Sequence, residues 1–205
     1  MMRKIFFLAA LVGLQGAAFG ASVLVNNVNE FSNSNAIVDN TGVPIASGSG
    51  YVAIGYFNVA DVTLATTQQL VTSFVQYGGS TTFGAGLNVA GLFNLNTSGV
   101  DLSVTNPFSG KALYVLAANG NGLNTSDAVF IWRPTGATFG STEPVDLAYN
   151  VQVGQGAVVR GGVGNYSVDF GEGNVPAFNM VLIPEPSVAM LGIFGGLVLL
   201  RRRRV

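Results

Sequence analysis

From residue 21 to residue 183, short apolar runs alternate with clusters of Gly, Asn, Ser and Thr. That alternation predicts a mainly β chain. Strands are expected over 22–28, 36–38, 51–58, 89–94, 112–118, 128–133, 145–153, 157–160, 166–170 and 178–183. The run 51–58 is the clearest, being rich in β-branched and aromatic residues. Asp39-Asn40-Thr41-Gly42 reads as a turn. Asn119-Gly120-Asn121-Gly122 reads as a hairpin connection. The stretch 171–176 reads as a turn before the last strand.

The period changes once. Between 66 and 77, Leu70, Val71, Phe74 and Val75 lie on one helical stripe. Thr66 and Gln69 have capping-box spacing, and Gly78 can end the helix. One helix packed on a sheet is therefore expected. The fold class that follows is mainly β, a single β-sandwich or jelly-roll-like domain with one short helix. An N-terminal signal helix and a C-terminal hydrophobic helix flank it. Trp132, at the end of a strand, is expected in the core.

The ends follow other rules. Arg3 and Lys4 precede an apolar run over 5–14, and small residues follow to Gly20. Residues 1–20 thus read as a secretory signal peptide cleaved between Gly20 and Ala21, with an uncleaved signal anchor as the alternative. Residues 21–183 form the extracytoplasmic body. At the other end, Val188 to Leu200 is 13 residues without a charge or a hydrogen-bonding side chain. A helix of that length spans roughly 20 Å, short of the ~30 Å hydrocarbon core. Gly192, Gly195 and Gly196 weaken it further. Arg201, Arg202, Arg203 and Arg204 hold that end in the cytoplasm. Pro184 and Pro186 keep Glu185 on a stiff, extended stretch. An ordinary membrane anchor and a processing signal both fit.

Pro184-Glu185-Pro186, the short Gly/Leu-rich run 187–200 and the arginine cluster, in that order, resemble the PEP-CTERM sorting signal of exported bacterial proteins. The resemblance covers 184–205, with Ile183 where the family often has Val. It implies a transient membrane-spanning stage in the inner membrane of a Gram-negative-type bacterium. It implies recognition and removal of the tail by an exosortase-type membrane protease. It also implies delivery to the cell surface or extracellular matrix, in association with exopolysaccharide and biofilm. No Leu-Pro-x-Thr-Gly is present, so a sortase signal is excluded. The body loosely resembles others that accompany such tails, in Gly50 to Gly55, Phe74 to Gly78 and Leu113 to Leu116, and no site attaches to those residues.

Composition narrows the chemistry. The chain has no cysteine and no histidine. Disulfides, thiol catalysis, Ser-His-Asp triads and the commonest metal ligand are thereby removed. Within 21–183 three basic residues, Lys111, Arg133 and Arg160, stand against nine acidic ones, leaving the body near −6. That argues against nucleic acid as a partner. The stretch Ser109-Gly110-Lys111-Ala112 lacks the first glycine and the Ser/Thr of a phosphate loop. Gly161-Gly162-Val163-Gly164 precedes no helix. Asp169-Phe170-Gly171 has no kinase context.

Two chemistries stay open. Glu143, Asp146, Asp169 and Glu172 are the acids from which a glycosidase pair would be drawn. Asn119, Asn121, Asn124 and Asp127 offer oxygens for calcium, without the alternating acidic pattern of known loops. Tyr51, Tyr56 and Trp132 are candidates for stacking on sugars. The expected function is a non-enzymatic exported surface or matrix protein with no cofactor. A carbohydrate-binding module and a glycoside-active enzyme are the alternatives.

Overall fold

The computed structural model describes residues 21–29, 33–100, 107–140, 146–171 and 173–184. The signal region 1–20, the acids Glu143 and Glu172, and the tail from Glu185 to Val205, including Pro186 and Arg201 to Arg204, lie outside them.

The chain is mainly β, with twelve strands and one α-helix among the described residues. The strands are β1 (Ala21–Asn26), β2 (Ile37–Val38), β3 (Tyr51–Phe57), β4 (Phe74–Thr81), β5 (Asn94–Val100) and β6 (Tyr114–Ala118). They continue as β7 (Ala128–Pro134), β8 (Leu147–Asn150), β9 (Gly156–Arg160), β10 (Gly162–Asp169), β11 (Asn174–Asn179) and β12 (Val181–Leu182). The helix α1 is Thr67–Ser73.

A six-stranded sheet runs β12-β7-β6-β3-β4, with β9 also paired to β7. Two three-stranded sheets, β5-β1-β8 and β10-β11-β2, accompany it. The layering is sandwich-like. Val52 and Ile54 of β3, Val115 and Ala117 of β6, and Phe130 and Trp132 of β7 share one buried core with Val23 and Val25 of β1 and Phe178 of β11. Their neighbours Phe57, Tyr114, Leu116, Val129 and Ile131 point to the opposite face, where Leu70 of α1 and the 59–65 loop cover them. Both faces of the sheet are therefore dry along β3, β6 and β7. This is why β3, β6 and β7 read as continuous apolar runs although every pairing between them is antiparallel.

Two buried asparagines fasten the small sheets together. Asn27, fully buried, donates from Nδ2 to the carbonyls of Asn35 (3.0 Å) and Gly91 (2.9 Å). Its Oδ1 accepts from Phe93 N–H at 2.7 Å. Asn35 donates to Pro176 O at 2.7 Å and accepts from Val153 N–H at 3.1 Å. Buried amides with both ends satisfied in this way act as struts: Asn27 ties the end of β1 to the approach to β2, and Asn35 ties that approach to the turn at Val153.

The predicted helix over 66–77 is too long. The capping box at Thr66 and Gln69 is present, but the helix stops at Ser73 and the chain continues directly into β4. Phe74 and Val75 sit on opposite faces of the sheet rather than on one helical stripe. Antiparallel pairing with β3 wins there over local periodicity. Gly78 does not cap a helix. It has φ 64°, and with Gly79 it forms the bulge between Tyr77, opposite Ile54, and Ser80, opposite Ala53. The strand placed at 89–94 lies instead at Asn94–Val100, because residues 83–91 fold into glycine-rich turns. The strand placed at 145–153 contracts to Leu147–Asn150. The turn placed at 171–176 gives way to β11 from Asn174 onward.

Candidate functional site

The concave site that gathers charged side chains lies at one end of the six-stranded sheet, where β3 leaves and β6 begins. The pairing of Gly55 with Tyr114 and of Val115 with Trp132 brings the ends of β3, β6 and β7 side by side. The connection from Asn58 to Thr66 arches over them. Asn58 N–H bonds to Ser73 O (3.0 Å) and Ala65 N–H to Asp61 O (3.1 Å), which close this arch onto the end of α1. Arg160 of β9 pins its far side, donating from Nη2 to the carbonyls of Val62 and Ala65.

Beneath the arch is a groove of about 310 Å³ bordered by Tyr56, Asp61, Lys111, Tyr114 and Arg133. Lys111 Nζ lies 5.8 Å from the centre of the Tyr56 ring, and the Arg133 guanidinium carbon 5.6 Å from that of Tyr114. The rings are themselves fixed edge-on, Tyr56 against Phe108 (5.3 Å) and Tyr114 against Phe57 (4.9 Å). Cation–π contact holds a charge in place without neutralising it. Among the described residues neither Lys111 nor Arg133 has an ion pair, and Arg133 Nε is buried with no hydrogen-bond partner. Asp61 stands on the rim. Hydrogen bonds from the Thr63 hydroxyl (2.6 Å) and N–H (2.7 Å) hold its carboxyl below the usual range, so it is ionised.

All three basic side chains of the body thus border the 58–66 arch: one braces it, and two face the groove. In the sequence Lys111 stands in an incomplete phosphate loop and Arg133 at the end of an apolar strand. Their meeting depends on β6–β7 register, which no local motif encodes.

The other candidates are separated or occupied. Asp146 Oδ1 accepts from Ser22 N–H (3.1 Å) and Ser22 Oγ (2.6 Å), which ties the start of β1 beside Ala21 to β8 and holds its carboxyl low. Asp169 Oδ1 accepts from Gly171 N–H (2.7 Å) and Gly173 N–H (3.1 Å), closing its own turn. Asn119 Oδ1 accepts from Asp127 N–H (3.2 Å) and Ala128 N–H (3.1 Å), and its Nδ2 donates to the Asp127 carboxylate. Those two residues therefore close the β6–β7 loop, while Asn121 and Asn124 are exposed on it. The loop is a nine-residue connection with a 3-10 turn at Leu123–Thr125 rather than a tight hairpin. Among the described residues no cluster of three acidic side chains is placed to hold a metal ion. Trp132 is 1 % exposed and buried in the core, and the Tyr51 hydroxyl bonds to Gln76, so Tyr56 is the aromatic candidate left at a groove.

Of the sorting motif, Pro184 is described and exposed. One residue before it, Ile183 N–H bonds to Asp127 O at 2.7 Å. Among the described residues no helix is long and apolar enough to cross a membrane, and the apolar run 187–200 lies outside them.

No family model matches the chain, and no curated protein or solved structure matches it either.

Proposed function

We propose that this chain is a non-enzymatic exported protein whose β-sandwich body is carried to the cell surface or matrix by a cleavable C-terminal sorting signal. Residues 1–20 direct export and leave Ala21 as the new N-terminus. Residues 184–205 hold the body at the membrane until an exosortase-type protease acts near Pro184-Glu185-Pro186.

One observation carries the reading. Among the described residues the last hydrogen bond that fastens the chain to the fold, Ile183 N–H to Asp127 O, lies one residue before the exposed Pro184. Cutting beyond it leaves every described strand of the body in place, the last being β12 at Val181–Leu182. Two prolines flanking one residue favour an extended backbone, the conformation that proteases bind.

Intact mass and terminal sequencing of the protein from its host tests this. The expected product begins at Ala21 and lacks Arg201 to Arg204. A mature protein that keeps Met1 or the four arginines in a host with a working exosortase refutes the route.

A second reading, that the body binds carbohydrate, is favoured by the groove of Tyr56, Lys111, Tyr114 and Arg133 under the 58–66 arch. Binding without turnover by the purified protein would establish it. Turnover abolished by replacing Asp61 would instead make the groove an active site.

A further inference from the structure

We propose that this groove binds a carboxylate-bearing sugar unit, a uronate, through Lys111 and Arg133. The proposal deepens the carbohydrate-binding reading and rests on it.

The argument begins with an imbalance. The body is near −6, yet among the described residues two of its three cations face one groove without an ion pair, while the third braces the groove's wall. Cation–π contact with Tyr56 and Tyr114 leaves both positive charges un-neutralised at the groove, available to an anionic ligand. A guanidinium and an ammonium in one groove match a carboxylate, with the guanidinium offering two parallel donors. Packing against Tyr56 and Tyr114, with Phe108 and Phe57 behind them, fixes the charges before a ligand arrives.

Asp61 selects among anions. Its ionised carboxylate on the same rim repels a ligand that is anionic throughout, such as an acidic peptide or a free phosphate. It is a good acceptor for hydroxyl groups. A uronate presents a carboxylate at one edge, hydroxyls around the ring and an apolar ring face, and these three chemistries match the cations, Asp61 and the tyrosine edges. The volume, about 310 Å³, is at the small end of ligand clefts and suits a short stretch of a chain rather than a large cofactor.

The test is calorimetric or fluorescence titration of the full chain in a detergent without a sugar headgroup. The probes are a tetrauronate, a neutral glucan tetramer, poly-glutamate and inorganic phosphate. The tetrauronate is expected to bind saturably and to weaken as salt rises. Arg133→Ala and Lys111→Gln should each weaken it about tenfold or more. Lys111 is exposed, so its replacement leaves the fold in place. Asp169→Asn, at a distant turn, should change nothing. Equal binding of the neutral glucan, with no effect of Lys111→Gln, overturns the uronate proposal and leaves the carbohydrate reading standing. Binding of neither sugar overturns both. Poly-glutamate or phosphate binding as tightly as the tetrauronate overturns the role given to Asp61 and with it the sugar.

Discussion

Replacing Asn27 by Ala removes three hydrogen bonds from a site with no water access. Gly91 O keeps a partner, because Ile37 N–H also donates to it at 2.9 Å. Phe93 N–H and Asn35 C=O lose their only side-chain partner. Each buried backbone group left unpaired costs about 1–3 kcal/mol. The expected loss is therefore about 4 kcal/mol, a large share of the ~5–15 kcal/mol typical of a domain. Asn27→Leu should cost about as much, since an apolar side chain of similar size restores neither bond. Asn27→Asp sharpens the test. It keeps an acceptor for Phe93 N–H but turns an oxygen toward two carbonyls. Burial raises such a carboxyl above its unfolded value. The folded form then binds the proton more tightly, so Asn27→Asp should gain stability relative to the native protein as the pH falls from 7 to 5. The assay is urea unfolding followed through Trp132, the sole tryptophan and a buried one. A loss below about 1 kcal/mol for Asn27→Ala, with an unchanged m-value, would refute the strut.

Trp132→Ala should cost about 3–5 kcal/mol in the same assay, read by circular dichroism, whereas Trp132→Phe should cost less because Nε1 has no partner to lose. At Gly156 of β9 a Cβ would meet the Trp132 ring at 2.6 Å and the Arg133 carbonyl closer still; Gly156→Ala should lower the melting temperature by several degrees. Acid should destabilise the body late. Asp39 is raised by burial but lowered more by hydrogen bonds from Val43, Thr41 and Gly42, and Asp61 and Asp146 are lowered by their serine or threonine partners. Depressed carboxyls stabilise the fold above their unfolded value near 3.8, and that contribution is lost as pH falls through the lower folded values. A melting temperature that falls in steps between pH 7 and 5, and not below 4, would contradict this.

Strand content and core positions were legible where local pattern and burial agree. The run at 51–58 and the apolar stretches of β6 and β7 are continuous because both of their faces are covered, and they emerge almost as read. The misreading at 74–77 has the opposite origin. Phe74, Val75 and Tyr77 satisfy a helical stripe and a strand equally, and only the presence of β3 alongside decides between them. The candidate groove was not legible. Lys111 and Arg133 are 22 positions apart in the sequence, and their meeting is a product of register. The asparagine struts were hidden for a related reason. Asn27 and Asn35 sit among many polar residues of turn-like composition, and nothing local distinguishes a buried amide from a solvated one.

The β7 strand carries two different things at its two ends. Ala128 pairs with Leu182, the approach to the tail, while Arg133 stands five residues further on, roughly 17 Å away along the strand. On the proposed route, Pro184 is four residue steps from Val188, at most roughly 14 Å of extended chain. On that route so short a leash would hold the 119–127 loop, bonded to Ile183, nearer the lipid than the groove. The uncut protein would then grip a polymer from the cell side, like a hook on a rail. Proteolysis would become a release step for protein and polymer together, and the rate of cutting, rather than the affinity of the groove, would set how long the matrix stays attached to the cell that made it.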